Sequence, residues 1–141
     1  MTTLLDTNVL SELLRAAPSA EVLAWFARQA PESLFVSAVT QAEMLMGARL
    51  MPDGRRKVQL QSALDAMFAD DFADRIWPFD SYAAAAYAAV VATRRTAGWP
   101  ISQFDAQIAA IAFCQQAELA TRNTADFEGC GLVLADPWAA R

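Results

Sequence analysis

The sequence predicts a three-layer α/β/α domain built on a parallel sheet, and three observations carry that prediction. Short apolar runs of β type alternate with longer helical ones along the whole chain, the order that places parallel strands between two layers of helices. The runs stop abruptly at polar residues that open the next helix, as Leu4-Leu5 stops at Asp6-Thr7-Asn8. The scale also fits: 141 residues with 55% apolar content suit one domain with its own core, so residues 1–141 are read as a single unit.

Thr2-Thr3-Leu4-Leu5 is the first strand, followed by helices over 9–15 and 20–29. Leu34-Phe35-Val36-Ser37, bounded by Pro31 and the polar Thr40-Gln41, is the second strand and leads into a helix over 41–50. Met51-Pro52-Asp53-Gly54 is a turn, and a helix over 55–72 comes next. Arg75-Ile76-Trp77-Pro78-Phe79 is the third strand, placed at a sheet edge because Pro78 has no N–H to offer a neighbour. A helix over 81–97 contains Ala83-Ala84-Ala85-Ala86 and ends at Gly98-Trp99-Pro100, and a helix over 103–116 contains Ala109-Ala110. Alanine favours helix and permits close packing. Leu119-Ala120-Thr121 and Leu132-Val133-Leu134 complete five strands, with no repeat, low-complexity segment or linker between them.

Composition removes several classes of function. The chain has no His, which excludes Ser-His-Asp and Cys-His hydrolysis, His-ligated zinc and a His general base. A net charge of −5 argues against a sequence-independent coat on nucleic acid but leaves room for an enzyme that grips nucleic acid locally. Positive charge gathers at Arg55-Arg56-Lys57, Arg94-Arg95 and Arg122, and each cluster alone reads as a solvated helix face. Cys114, inside an apolar helix, is expected to be a buried thiol; neither it nor Cys130 belongs to a disulfide framework or metal motif, which suits a reducing compartment. The N-terminus lacks a basic region, and Asp6 interrupts its apolar stretch, unlike a secretory signal. No apolar run approaches the roughly 20 residues that span a bilayer. The expectation is a soluble, cytoplasmic protein with no membrane partner.

Four acids carry the functional signal. Asp6 follows the first strand, Glu43 begins the helix after the second, and Asp126 follows the fourth; in a right-handed parallel sheet these positions share one end. Asp105, in the first turn of the helix leading to the fourth strand, can return its side chain to the same rim. Taken singly, each acid is equally well explained as a cap. Thr40-Gln41-Ala42-Glu43 and Ser102-Gln103-Phe104-Asp105 match the capping box or a near variant, Asp6 or Thr7 can cap the first helix, and Asp126 can stabilise a turn after Thr124. Asp80, right after the third strand, is another candidate at this rim, but the helix that begins at Ser81-Tyr82 favours a cap.

Taken together, four acids at one rim repel one another. Two carboxylates about 4 Å apart repel by roughly 4 kcal/mol at an effective dielectric of about 20. Unless some stay protonated, the cluster needs a cation. An all-oxygen set selects a hard ion, Mg²⁺ or Mn²⁺, which activates water and neutralises charge on a phosphoryl oxygen. Metal-dependent phosphodiester hydrolysis is the chemistry that uses these residues without His, and nearby helix N-termini would favour a phosphate. Thr7 and Thr121 offer hydroxyls on this rim. Asn8 and Asn123 either orient the acids or serve as turn residues, and Arg122 is a candidate substrate-phosphate contact.

Four blocks then acquire a joint meaning: Leu4-Leu5-Asp6-Thr7-Asn8-Val9-Leu10, Ser37-x-x-Thr40-x-x-Glu43-x-x-x-Gly47, Asp105-x-x-Ile108-Ala109-Ala110, and Thr121-Arg122-Asn123-x-x-Asp126-Phe127. In this order and spacing they resemble the signature blocks of PIN-domain ribonucleases, and most of all the VapC/FitB-like toxins of bacterial toxin–antitoxin pairs. The closing Asp136-Pro137-Trp138 resembles the end of such proteins. The resemblance implies a five-stranded parallel sheet with strand one central. It implies an endoribonuclease whose Mg²⁺ or Mn²⁺ site is formed by Asp6, Glu43, Asp105 and Asp126, with Asp6 and Asp105 the most direct ligands. It further implies a homodimer and a higher assembly with a small DNA-binding antitoxin, whose Arg-bearing C-terminal segment lies across the acidic pocket. Apolar helical stretches around 22–26 and 60–68 are the candidates for the dimer surface.

Three rival readings remain. A receiver-like domain would use Asp6 as a phosphoryl acceptor but needs a Lys at the rim, and the only Lys is Lys57, in a helix among Arg residues. A non-catalytic module would use the same fold to hold a peptide. A DNA nuclease would use the same chemistry, although the chain has no evident segment for gripping a duplex.

Overall fold

The computed structural model describes residues 1–139. Strand β1 (Thr3–Leu5) is followed by helices α1 (Thr7–Leu13) and α2 (Ala20–Ala27), then β2 (Leu34–Ser37), α3 (Ala38–Arg49) and α4 (Arg55–Ala66). After β3 (Ile76–Trp77) come α5 (Ser81–Thr96), α6 (Gln103–Cys114), β4 (Glu118–Ala120), a short 3₁₀ turn at Thr124–Phe127, and β5 (Leu134–Ala135). All pairings are parallel and the sheet order is β3-β2-β1-β4-β5, so β1 is central and the Pro78-terminated β3 lies at an edge, as expected. No helix among the described residues is long and apolar enough to cross a membrane.

The period of two in each strand divides the core into two. Leu4, Phe35 and Leu119 point into one apolar cluster with Ile108, Ala109 and Val90 of α6 and α5. Leu5, Leu34, Val36 and Ala120 point into the other, with Val9, Leu10, Trp25 and Leu64 from α1, α2 and α4. Because β1 is covered on both faces, Leu4 and Leu5 are fully buried, and the residue that follows them emerges inside the protein. The alanines of α6 are the means of close approach on the first face: Ala106, Ala109, Ala110 and Ala112 are all buried.

Several element boundaries differ from expectation, each for a local reason. Helix α3 begins at Ala38, not 41, because Ser37 is its N-cap and accepts from Thr40 N–H at 3.0 Å; Thr40 lies inside the helix and Glu43 is not part of a capping box. The helix expected over 55–72 changes to a π turn at Met67–Asp71, and Met67, Phe68 and Phe72 are all buried there. Strand β5 lies later than 132–134, after a loop that turns through Gly129 and Gly131 at φ of 77° and 75°. Cys114 is exposed and Cys130 is the buried thiol, since α6 has left the core by Phe113. Within the candidate dimer stretches, Val22, Trp25, Leu64, Met67 and Phe68 belong to the protein's own interior, while Leu23 is exposed.

The core at the N-terminal end of β3 gives a direct test of this packing. Phe72→Ala is expected to cost about 3–5 kcal/mol in a denaturant melt, whereas Val58→Ala, on an exposed face of α4, should stay within about 0.5 kcal/mol. Equal effects at the two positions would contradict the assigned interior.

Candidate active site

Asp6 leaves the C-terminal end of β1 with only 5% of its surface exposed. Its N–H continues the sheet ladder to Ala120 C=O at 2.9 Å. Its Oδ1 accepts from Thr7 N–H at 2.8 Å and caps α1, and its Oδ2 accepts from the Thr121 hydroxyl at 2.7 Å. Capping and site formation are therefore the same act. Thr121, the first residue beyond β4, is itself fully buried; its Oγ1 accepts from Asn123 N–H at 3.1 Å and lies 3.5 Å from the Asn8 amide nitrogen. Asn8 Oδ1 in turn accepts from Arg122 N–H at 3.4 Å, tying α1 to the segment after β4.

Glu43 comes from the second turn of α3, on the other side of β1. The Thr7 hydroxyl donates to its Oε1 at 2.8 Å, and Thr7 Oγ1 lies 2.9 Å from that of buried Thr40. Because the Thr7 proton is directed at Glu43, the Thr40 proton supplies the second bond. Asp105 sits in the first turn of α6, whose N-cap Ser102 accepts from Asp105 N–H at 3.2 Å. Asp6, Glu43 and Asp105 face one cavity of about 470 Å³, with Thr7, Asn8, Asn123 and Arg122 also on its walls.

Asp126 occupies the 3₁₀ turn after β4 and is exposed. It is not on the cavity wall, but its charge acts on Asp105. Asp80 caps α5 by accepting from Ala83 N–H at 3.0 Å, as expected. Lys57 is engaged with Asp53 and the Arg49 carbonyl and is not on the cavity wall, so no Lys serves the rim as a receiver-like site would need.

Four contributors went unrecognised in the sequence. Glu12, in the last turn of α1, and Arg15, just beyond the helix end, pair at 3.1 Å on the cavity wall, and Glu12 also accepts from Ser19 N–H at 2.8 Å. Their i,i+3 spacing was the available signal. Trp138 forms part of the wall with the Arg122 guanidinium 5.0 Å from its ring centroid. Arg94, read as a surface charge, is 3% exposed and has no sequence signature that distinguishes it from Arg95.

With this geometry in view, comparisons with known proteins agree on one family. The PIN domain family model matches residues 3–129. A VapC ribonuclease from Sinorhizobium fredii is 42% identical over 134 residues, covering 95% of this chain and 96% of the relative. Toxin FitB from Neisseria gonorrhoeae is 38% identical over 135 residues, covering 96% and 97%. The solved structure of FitAB bound to a DNA fragment superposes with a TM-score of 0.93 at 37% identity, covering 99% of this chain and 98% of that one.

The electrostatics of the cavity are those of buried carboxylates with other carboxylates nearby. Burial pushes the Asp6 carboxyl up to about 6; hydrogen bonds from Thr121 and Thr7 oppose the shift, and the charges of Asp105 and Glu43 add to it. Asp105 is also raised, first by burial and then by Asp126, against the lowering influences of Ser102 and Arg94. Among the described residues, the ion pairs are Arg15–Glu12 and Lys57–Asp53, and neither neutralises these acids. A carboxyl raised on folding binds its proton more tightly in the native state, so its contribution to stability is present below the unfolded value of 3.8 and is lost as pH rises through about 6. Metal-free protein should therefore lose about 1 kcal/mol from Asp6 between pH 5 and 7.5, a fall of a few degrees in melting temperature. Glu12, lowered chiefly by the Ser19 N–H, acts in the opposite direction only at more acidic pH. A melting temperature that rises across this window in chelator would contradict the assignment.

Proposed function

The chain belongs to the PIN-domain family, and from that premise we propose that it is the toxin of a toxin–antitoxin pair, a cytoplasmic Mg²⁺- or Mn²⁺-dependent endoribonuclease that hydrolyses RNA phosphodiester bonds. The observation that carries the reading is Asp6: a carboxylate buried at the end of the central strand, facing Glu43 and Asp105 across one cavity with no cationic partner among the described residues. The relatives' names, VapC ribonuclease and toxin FitB, support the choice of activity.

The residues present fit a hard divalent ion. The donor set is oxygen only, and the Asp6 and Asp105 carboxyls are raised first by burial and further by neighbouring carboxylates, both of which a bound cation would offset. Among the described residues, no three acids are grouped closely enough to hold an ion by themselves, and an Mg²⁺ bound through one or two carboxylates would keep its other positions for water. Asp6 and Asp105 would hold the ion most directly, with Glu43 and Asp126 completing the acidic set. When bound, it would lower the pKa of a water nucleophile and neutralise charge developing on the phosphate.

The protein's own contribution is orientation. Thr7 N–H and the Thr121 hydroxyl lock the Asp6 carboxylate in one rotamer, and each Asp6 oxygen keeps a further lone pair for a ligand. The Thr40–Thr7–Glu43 relay fixes Glu43 from the opposite side. Arg122, on the cavity wall beside Trp138, would contact an RNA phosphate; Asn8 holds its segment against α1, and the Asn123 N–H closes the segment on the Thr121 hydroxyl oxygen.

The partner reading has its own support. A second cavity of about 390 Å³, lined by Leu14, Met44, Met46 and Leu60, shares Thr7, Ser11 and Glu43 with the acidic one. A segment with apolar side chains followed by an Arg fits the two together, which is the chemistry expected of an antitoxin C-terminal segment. A homodimer, joined with the antitoxin in a higher assembly, completes the proposal; the related FitAB complex is bound to DNA.

Purified chain free of antitoxin should cut an RNA oligonucleotide with Mg²⁺ and stop in EDTA, and Asp6→Asn should lose at least about 10²-fold in rate. Cleavage that persists in EDTA or survives Asp6→Asn would sink the metal-nuclease reading, and cutting of DNA in preference to RNA would transfer it to the DNA nuclease. Thr121→Val, which removes the donor to Asp6 and no carboxylate, should weaken Mn²⁺ binding by about 10–100-fold. Calorimetric titration showing unchanged affinity would contradict the orienting role.

A further inference from the structure

Asp126 lies on a segment that regular structure does little to hold, and Asp105 opens α6 directly after an irregular loop. Asp105 follows the loop that turns at Gly98 with φ of 73° and reaches the α6 cap at Ser102. Asp126 lies between β4 and β5, in a stretch whose only regular element is the 3₁₀ turn and which turns again at Gly129 and Gly131. Both segments run past one side chain of α5.

That side chain is Arg94. Its Nε donates to the Trp99 carbonyl at 2.7 Å, and its Nη1 donates to the carbonyls of Asp126 at 2.9 Å and Glu128 at 3.1 Å. The guanidinium lies 3.9 Å from the Trp99 ring centroid, and the Trp99 N–H returns a bond to the Arg94 carbonyl at 2.9 Å. Nη1 also lies 3.6 Å from Cys130 Sγ. Arg94 is 3% exposed and forms no ion pair with a carboxylate among the described residues. Burying a cation among carbonyls alone is costly, and every donor directed at a loop carbonyl offsets that cost by holding the loop in place. Only a planar fork reaches acceptors in two segments while stacking on an indole; a Lys ammonium has neither the shape nor the reach.

We propose that Arg94 is a positioning residue of the acidic site: one buried guanidinium fastens both the loop that leads into the Asp105 helix and the turn that carries Asp126, so that Asp105 meets the cavity, and Asp126 acts on it, from fixed positions. It touches neither substrate nor the reacting atoms. The inference rests on the metal-site reading given above, and it goes further in assigning the alignment of two of the acids to a residue outside the cavity.

The test compares full-length Arg94→Met, Arg94→Lys and wild-type protein, with Phe72→Ala as a control destabilised through the core away from this site. Mn²⁺ affinity is read by electron paramagnetic resonance titration, folding by circular dichroism, and loop order by hydrogen exchange. Arg94→Met should bind Mn²⁺ about 10–100-fold more weakly than wild type and exchange faster over 98–105 and 121–131, while folded Phe72→Ala binds as wild type does. Arg94→Lys, which keeps the charge and loses the fork, should show the same defect. If Arg94→Met does not fold, Arg94→Lys alone decides. Wild-type affinity in either folded Arg94 variant overturns the proposal, because a purely structural loss lowers the melting temperature without moving the affinity of folded molecules. Wild-type protein that binds no Mn²⁺ overturns the metal reading and this inference with it, an outcome distinct from wild type binding and the variants matching it.

Discussion

The structure depends on the burial of one carboxylate. β1 is enclosed on both faces, so the residue after Leu5 cannot reach bulk water without breaking the turn into α1. An apolar residue there would pack at no electrostatic cost, but it would leave the Thr121 hydroxyl and the Thr7 N–H without their acceptor. With Asp in place, both donors are satisfied and α1 is capped, and the remaining cost is negative charge in a poorly solvated cavity. That cost is the basis of the proposed cation site.

The sheet order explains why the other acids meet Asp6. The chain goes from β1 outward to β2 and β3, then returns to the other side of β1 for β4 and β5. The two flanks of β1 are thus filled from separate parts of the sequence: α3 brings Glu43 and Thr40 on one side, and α6 and the loop after β4 bring Asp105, Thr121 and Asn123 on the other. A crevice outside the carboxyl ends of the strands, where strand order reverses, is the expected ligand position in an open α/β sheet. Here the acids are oriented by threonine hydroxyls, Thr121 donating to Asp6 and Thr7, backed by Thr40, donating to Glu43, and the placement of these groups is set by β4, α1 and α3.

Much of this was legible in the residues themselves. The β1–Asp6–α1 junction, the edge position of β3 and the convergence of Asp6, Glu43 and Asp105 follow from periodicity and from acids placed just beyond strands. What was not legible depends on choices between near-equal local options. Ser37 and Thr40 are both competent caps, and the three-dimensional end of β2 decides for Ser37, which sends Thr40 inward to meet Thr7. Cys114 lies in an apolar run, yet α6 passes beyond its neighbours before reaching it. Arg94 and Arg95 are adjacent and chemically identical, and only the path of the loops between α5 and α6 and after β4 makes one of them an interior residue. Long-range contacts of this kind leave no periodic trace.

The central claim is that Asp6 and its neighbours are built to hold a divalent ion. The most direct measurement is anomalous diffraction from crystals of the protein soaked with Mn²⁺ at a pH above 7. The account predicts one or two peaks in the cavity, with carboxylate oxygens of Asp6 and Asp105 about 2 Å from the metal. A cavity without an anomalous peak at saturating Mn²⁺, or a peak bound only by acids elsewhere on the surface, would contradict it.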